Sequence, residues 1–181
     1  MYILNWYPGS FGDRIMIELF DVPYRILDEV GAYRMTYDSF LKYPTTYQLP
    51  LEEMIKQFNK VCLPFIEKNN VTGAHRISKF DYTLLNPNLK TISIDPTDCY
   101  DKVADAFLTK VIGVHNVQSS TDLLTKYLLD NDLYSQAKQY QETLIKKWKK
   151  DNIIETDYVF YLKEYLEDSN YIERFKINVM S

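Results

Sequence analysis

Residues 2–15 read Tyr-Ile-Leu-Asn-Trp-Tyr-Pro-Gly-Ser-Phe-Gly-Asp-Arg-Ile, and they carry the strongest fold signal of the sequence. A short apolar run ends in Pro8-Gly9-Ser10, and the residues from Arg14 to Phe20 have the spacing of an amphipathic helix. A strand, a glycine-containing turn and a helix form the architecture of a phosphate-binding loop, whose amides converge on an anion at the positive end of the helix dipole. The stretch therefore predicts an α/β fold and an anion site in this loop.

The loop departs from the Walker motif, G-x-x-x-x-G-K-[ST], in which Lys reaches the outer phosphates and the hydroxyl holds magnesium. Gly9 and Gly12 are only three residues apart, and Asp13-Arg14 stand where Lys-Ser would be. A purely structural explanation stays open, because Gly supplies a positive φ and Ser can cap a helix. A nucleotide or sugar kinase is disfavoured, and no pattern indicates a metal site.

Composition predicts one globular domain over residues 1–181, with an α/β core at 1–115 and a mainly helical completion at 116–181. Of the 181 residues, 46% are hydrophobic, which is enough for a substantial core. The net charge of −4 disfavours nonspecific nucleic-acid binding. No apolar run approaches transmembrane length, no signal peptide leads the chain, and the two cysteines have no disulfide or metal spacing. We therefore expect a cytoplasmic protein with no membrane partner.

Two strands and two helices are predicted in the middle of the chain. A helix begins at Pro50, is interrupted near Pro64, and is followed by a short buried strand at 71–76. Residues 91–94 form a buried strand of parallel type. Asp95 then caps a helix that has Pro96 as its first residue and Asp98 as its third. A short helix is also predicted at 37–43.

The last third is predicted to be mainly helical. Ser119–Asp122 cap a helix whose inward residues are Leu123, Leu124, Tyr127 and Leu128. Asp132 caps the next helix, whose inward set is Leu133, Ala137, Tyr140, Leu144, Ile145 and Trp148. Lys146, Lys147, Lys149 and Lys150 form a solvated cluster at its end, with an anion or partner site as the secondary interpretation. A strand at 153–159 and a helix at 160–175 complete the fold.

Two segments resemble the sulfotransferases, a family with a P-loop-like fold. Residues 7–13 resemble the Tyr-Pro-Lys-Ser-Gly-Thr-Thr loop that binds the 5′-phosphosulfate of the sulfonucleotide PAPS. Residues 86–98 resemble the Pro-Asn-Ala-Lys-Ile-Ile-Tyr-Val-Val-Arg-Asn-Pro-Lys-Asp segment. The cofactor-binding residues that the resemblance implies are Gly9, Ser10, Phe11, Gly12, Asp13, Arg14 and Lys102.

The resemblance also implies a catalytic base. His75 ends the predicted strand at 71–76, as does the family histidine that takes the proton from the acceptor hydroxyl, and histidine has a suitable pKa for that role. The chain departs from the family at three positions. Gly9 replaces the loop Lys that contacts the sulfonate, Ile94 replaces the Arg that pairs with the 3′-phosphate, and Lys102 replaces the helix Ser beside it.

Two functions follow from the resemblance. The first is a sulfotransferase that moves a sulfonate from PAPS, without a metal, to the hydroxyl of a small molecule or glycan. The second is a catalytically degenerate protein that works in binding or assembly, with a partner on its tyrosine-rich surface. Small chains of this composition resemble viral reading frames, so that the host cytoplasm or the virus particle would be its location.

Overall fold

The fold is described from a computed structural model, which covers residues 1–22, 50–75, 81–113, 122–154 and 156–180. The helix predicted at 37–43 and the end of the strand predicted at 71–76 lie outside these ranges. Within the described part of the chain, no helix is both long and apolar enough to cross a membrane.

A sheet of four parallel strands forms the centre of the fold and confirms the predicted α/β class. The strands are β1 (Tyr2–Trp6), β2 (Val71–His75), β3 (Lys90–Asp95) and β4 (Tyr158–Tyr161). They lie in the order β2-β1-β3-β4, and each neighbouring pair is parallel. The carboxyl ends of the four strands therefore meet at one edge of the sheet.

Strand β1 is the central strand, and all five of its residues are buried. Tyr2 pairs with Val71 on one side and with Lys90 on the other. Burial on both faces is the usual condition of a parallel strand covered by helices. The near-continuous apolar composition of β1 follows from this position.

Helices α1 (Gly12–Phe20), α2 (Leu51–Val61) and α3 (Leu63–Asn69) belong to the first half of the chain. The predicted interruption near Pro64 is confirmed, since α2 ends at Val61 and Pro64 lies in the first turn of α3. Met54, Phe58 and Ile66 belong to a cluster that packs against Ile3 of the sheet.

Helix α4 (Tyr100–Gly113) begins later than predicted. Asp95 does not cap it, because its Oδ1 accepts hydrogen bonds from the backbone N (2.9 Å) and the Oγ1 (2.6 Å) of Thr97, which closes a turn. Asp98 then has a left-handed φ of 60°, which a helical residue cannot have. The predicted helical positions of Pro96 and Asp98 are therefore wrong.

Helix α5 (Leu123–Asp130) starts at the predicted cap, since Asp122 Oδ1 accepts the Thr125 amide at 2.9 Å. Its predicted inward face is wrong at three of four positions, since Leu123, Leu124 and Tyr127 are exposed by 85, 46 and 61%. Leu128 is half-buried and packs against the core, as predicted. Thr125 is fully buried, and its Oγ1 donates to Asp122 (2.7 Å) and accepts from Gln141 Nε2 (2.6 Å).

Helix α6 (Tyr134–Asn152) is the longest described helix. Ala137, Ile145 and Trp148 are buried as predicted, and Gln141 is buried with them. Asp132 is not its cap, because it has a left-handed φ of 58° and Leu133 precedes the first helical residue.

The end of the chain differs from its prediction in two places. The strand begins at Tyr158, not at residue 153, because Asp157 Oδ2 accepts the Thr91 amide (2.6 Å) and Thr156 Oγ1 donates to the Thr91 carbonyl (3.0 Å). The predicted helix at 160–175 is two helices, α7 (Leu162–Glu167) and α8 (Tyr171–Met180). They are separated by a turn in which Asp168 Oδ1 accepts the Asn170 amide at 2.8 Å.

Phe160 of β4 joins the sheet to the last two helices. Its ring lies 5.6, 4.9 and 5.0 Å from the ring centres of Tyr165, Tyr171 and Phe175. We expect Phe160→Ala to lower the free energy of unfolding by roughly 3–5 kcal/mol, because it removes a fully buried ring and leaves a cavity. Urea denaturation measures this change.

The control for this variant is its half-exposed neighbour Tyr161. Tyr161→Ala should change the free energy of unfolding by less than about 0.5 kcal/mol. Equal losses in both variants would show that Phe160 does not anchor α7 and α8.

Candidate functional site

The loop after β1 is a tight turn. The Ser10 amide donates to the Tyr7 carbonyl at 3.0 Å, and Gly9 has a φ of 92°. Proline as the second residue and a glycine of positive φ as the third residue are the signature of a type II turn. The Pro8-Gly9 pair therefore has a complete structural explanation.

Gly9 also packs directly against helix α4. A Cβ atom at this position would lie 2.4 Å from the Val103 carbonyl oxygen and 3.0 Å from the Phe107 amide nitrogen. Both neighbours are backbone atoms in the middle of a helix, which cannot move aside cheaply. A side chain at position 9 would therefore force the loop or α4 to shift.

The start of α1 is covered by an aromatic ring. A Cβ atom on Gly12 would lie 2.1–2.4 Å from atoms of the Trp6 indole. The residue before Gly12, Phe11, has a left-handed φ of 56° and gives no side-chain cap. Asp13 then places a carboxylate in the first turn, where it complements the positive end of the helix dipole.

The Arg14 side chain forms an ion pair with a residue of its own helix. Its Nε donates to Glu18 Oε1 at 2.8 Å, and its guanidinium lies 5.8 Å from the centre of the Tyr165 ring. The hydrogen bond to Glu18 raises the pKa of Arg14. The Tyr165 hydroxyl donates to Glu18 Oε2 at 3.1 Å, and burial raises the pKa of this phenol to about 12. The charge predicted for the loop is thus compensated by Glu18.

The remaining two predicted site residues lie on different elements. The backbone of His75 ends β2 and pairs with Trp6 of β1, at the same edge of the sheet as the loop. The side chain of His75 lies outside the described part of the structure. Lys102 is the third residue of α4 and is exposed. Sequence reasoning thus placed the backbone of His75 at the correct edge, and the roles of all these residues stay predictions.

The carboxyl edge also holds residues that sequence reasoning missed. Lys149 of α6 contacts Thr97 Oγ1 through its ammonium group, which lies 3.6 Å from Asp95 Oδ1. The Lys149 side chain is 30% exposed and that of Asp95 is 7% exposed. The sequence predicts that Lys149 belongs to a solvated cluster, and no local signal could place it here, because it lies over fifty residues from β3.

A second contact joins α6 to β1. Asn5 Nδ2 donates to Asn152 Oδ1 at 3.1 Å, and Asn152 Nδ2 donates to the Trp148 carbonyl at 2.9 Å. The Tyr7 hydroxyl donates to Gln141 of the same helix at 2.9 Å. Helix α6 therefore spans the ends of both β1 and β3.

Several buried polar atoms at this edge have no hydrogen-bond partner among the described residues. They are Asn5 Oδ1, Ser10 Oγ, Ser93 Oγ and Trp148 Nε1. Each atom of this kind costs about 1–3 kcal/mol of desolvation, and native proteins contain few of them. Four such atoms near one sheet edge mark this edge as the candidate site.

No group of three or more His, Cys, Asp or Glu side chains that could hold a metal ion occurs among the described residues. No protein-family model, no curated protein and no solved structure matches this chain.

The contact between Gly9 and α4 can be tested by substitution. We expect Gly9→Ala to lower the free energy of unfolding by roughly 2–5 kcal/mol, the sum of a left-handed backbone penalty and of overpacking against Val103. Thermal and urea denaturation measure the loss.

Gly113 provides the matched control, because a Cβ atom there would meet nothing within 4 Å among the described residues beyond its own helix turn. Gly113→Ala should leave stability within about 1 kcal/mol of the parent or raise it, since alanine is the better helix former. If Gly9→Ala were equally harmless, the loop would not be held against α4.

Proposed function

We propose that this protein is a catalytically degenerate, sulfotransferase-like α/β protein that acts as a binding or assembly component. The packing of Gly9 against Val103 carries the proposal. In the sulfotransferases, the residue at this loop position is a Lys that contacts the transferring sulfonate. Transfer of such a group depends on charges that stabilise the transition state, by analogy with phosphoryl transfer. A loop that has glycine at this position lacks that charge.

The other positions that resemble charged residues of the sulfotransferase site are also altered. Arg14 is compensated by Glu18, and Lys102 is exposed on α4. Ile94, at the position of the family Arg, is a fully buried apolar residue. Function depends on the residues of a site and not on the fold, so these changes favour binding over transfer.

The exposed face of α5 supports an assembly role. Leu123, Leu124 and Tyr127 form an apolar face, which we call the α5 face, and Lys126 and Asp130 lie beside it. If two copies pair antiparallel through the middle of this face, Leu123 of each copy lies opposite Tyr127 of the other. Such a contact is isologous and self-complementary, and a second copy of the chain is therefore the partner that we propose.

Sulfonate transfer from PAPS is the second candidate. It is favoured by one observation, the pairing of His75 with Trp6, which brings the backbone of the predicted base to the edge that carries the loop. A PAPS-dependent enzyme would use Ser10 and the neighbouring loop amides for the 5′-phosphosulfate.

A transfer assay separates the two candidates. The protein is incubated with PAPS and a panel of phenols and glycans, and release of the desulfonated nucleotide PAP is measured. We expect no release above the background of a protein-free sample. Release that is lost in His75→Ala, in a variant with unchanged melting temperature, would overturn the proposal in favour of the enzyme.

Sedimentation velocity tests the assembly role. We expect the sedimentation coefficient to rise with protein concentration, and Leu123→Glu to abolish this rise, because a charge would be buried in the contact. Ile154→Glu is the control, since Ile154 is equally exposed but lies outside the α5 face. A monomer at every concentration, or an equal effect of both variants, would contradict self-association through α5.

A further inference from the structure

The carboxyl ends of β1 and β3 place two buried polar side chains next to each other. Asn5 and Ser93 are register partners on these strands and are 2% and 0% exposed. Partners on neighbouring parallel strands are about 4.8 Å apart and point to the same face of the sheet. Asp95, two residues beyond Ser93, points to that face as well.

Neither side chain is satisfied. Asn5 uses its Nδ2 for Asn152, whereas Asn5 Oδ1 and Ser93 Oγ have no hydrogen-bond partner among the described residues. Two apolar residues here would extend the core without this penalty, as Ile3 and Ile92 do on the same strands. The two unsatisfied atoms thus cost stability in the state described and call for another explanation.

Their position in the sheet is one where α/β proteins bind ligands. The chain leaves β1 for β2 on one side, while β3 lies on the other side, so the order β2-β1-β3-β4 changes direction between β1 and β3. Ligands of open α/β sheets bind outside the carboxyl ends of the strands at such a switch point. Asn5 and Ser93 flank this point directly.

The last turns of α6 cover the pair. Asn152 Oδ1 accepts a hydrogen bond from Asn5, and the Lys149 ammonium lies 3.6 Å from Asp95. The Trp148 indole is buried, and its Nε1 also has no hydrogen-bond partner among the described residues. A small movement of this helix end would expose the amide oxygen of Asn5 and the hydroxyl of Ser93 together. A ligand that satisfies these groups binds the opened state and shifts the population toward it.

The charges at this edge indicate an uncharged ligand. Lys149 is compensated by the nearly buried Asp95, so this pair presents no excess charge to an incoming group. The two unsatisfied atoms are an amide oxygen, which accepts, and a hydroxyl, which can donate or accept. This set matches the alternating donors and acceptors of a polyol.

We infer that the β1–β3 edge is a binding site for an uncharged, polyhydroxylated ligand, either a free sugar or the ribose of a nucleoside, and that the end of α6 moves to admit it. Asn5 Oδ1 and Ser93 Oγ bind its hydroxyl groups. The inference is independent of sulfonate transfer and of the α5 face.

The melting temperature of the ligand-free protein tests whether Ser93 Oγ is unsatisfied in the closed state. We expect Ser93→Ala to leave the melting temperature unchanged or to raise it by a few degrees, because it removes an unsatisfied hydroxyl. Thr125→Val is the contrast, since Thr125 is equally buried but bonded to Asp122 and Gln141, and it should lower the melting temperature by roughly 3–6 °C. A similar loss in Ser93→Ala would overturn the inference, because Ser93 Oγ would then have a partner in the closed state.

Nuclear magnetic resonance titrations with ribose, adenosine and inorganic phosphate test the ligand. We expect ribose or adenosine to shift amide signals of residues 4–6, 92–95 and 148–152, and affinity to fall roughly tenfold or more in Asn5→Ala. Shifts with adenosine alone assign the site to nucleosides, and shifts with both assign it to sugars in general.

Three results would contradict the inference. They are shifts with phosphate alone, no shift at millimolar concentration of any probe, and equal binding by Asn5→Ala. Asn131→Ala is the control variant, because Asn131, like Asn5, donates a hydrogen bond through its Nδ2, to the Tyr127 carbonyl at 2.8 Å, but lies at the end of α5. None of these results depends on PAP release or on sedimentation.

Discussion

The pairing of β1 on both sides is the constraint on which the rest of the structure depends. Its residues are hydrogen-bonded to β2 and β3 and covered on both faces, so β1 is apolar except at Asn5, and a turn follows its carboxyl end. That turn runs between Trp6, which lies against Gly12, and α4, which lies against Gly9. The two glycines are therefore required by contacts with a ring and with a helix backbone, and an anion need not be invoked for either.

The elements around this loop agree with the prediction from sequence, but their packing does not favour the chemistry that the sequence suggested. A strand, a glycine turn and a helix occur in the predicted order, yet the turn is closed by its own hydrogen bond and by α4. Arg14 forms its ion pair along α1. The same residues that resemble a phosphosulfate loop are thus accounted for by local geometry, which is why we propose a binding role and not a transfer reaction.

Helix α6 lies across the carboxyl edge of the sheet, a position that the sequence did not predict. It contacts the loop through Gln141, strand β1 through Asn152, and the turn after β3 through Lys149. These contacts join parts of the chain that are 52 to 147 residues apart. The unsatisfied Asn5 and Ser93 lie beneath it, and their burial costs stability that a bound polyol would restore.

The sequence by itself determined the elements whose signals are local. The apolar runs of β1 and β3, the proline near the junction of α2 and α3, and the Asp122 cap of α5 were all predictable, because strands, proline breaks and caps depend on neighbouring residues. The tertiary structure decided which faces are buried and which side chains meet. It turned Leu123 outward because Thr125 bonds Gln141 of another helix, and it started β4 at Tyr158 because Thr156 and Asp157 bond the backbone of β3. It also brought Lys149 to Asp95, because a contact between distant residues is set by the order of the strands and the path of the helices, which local sequence does not encode.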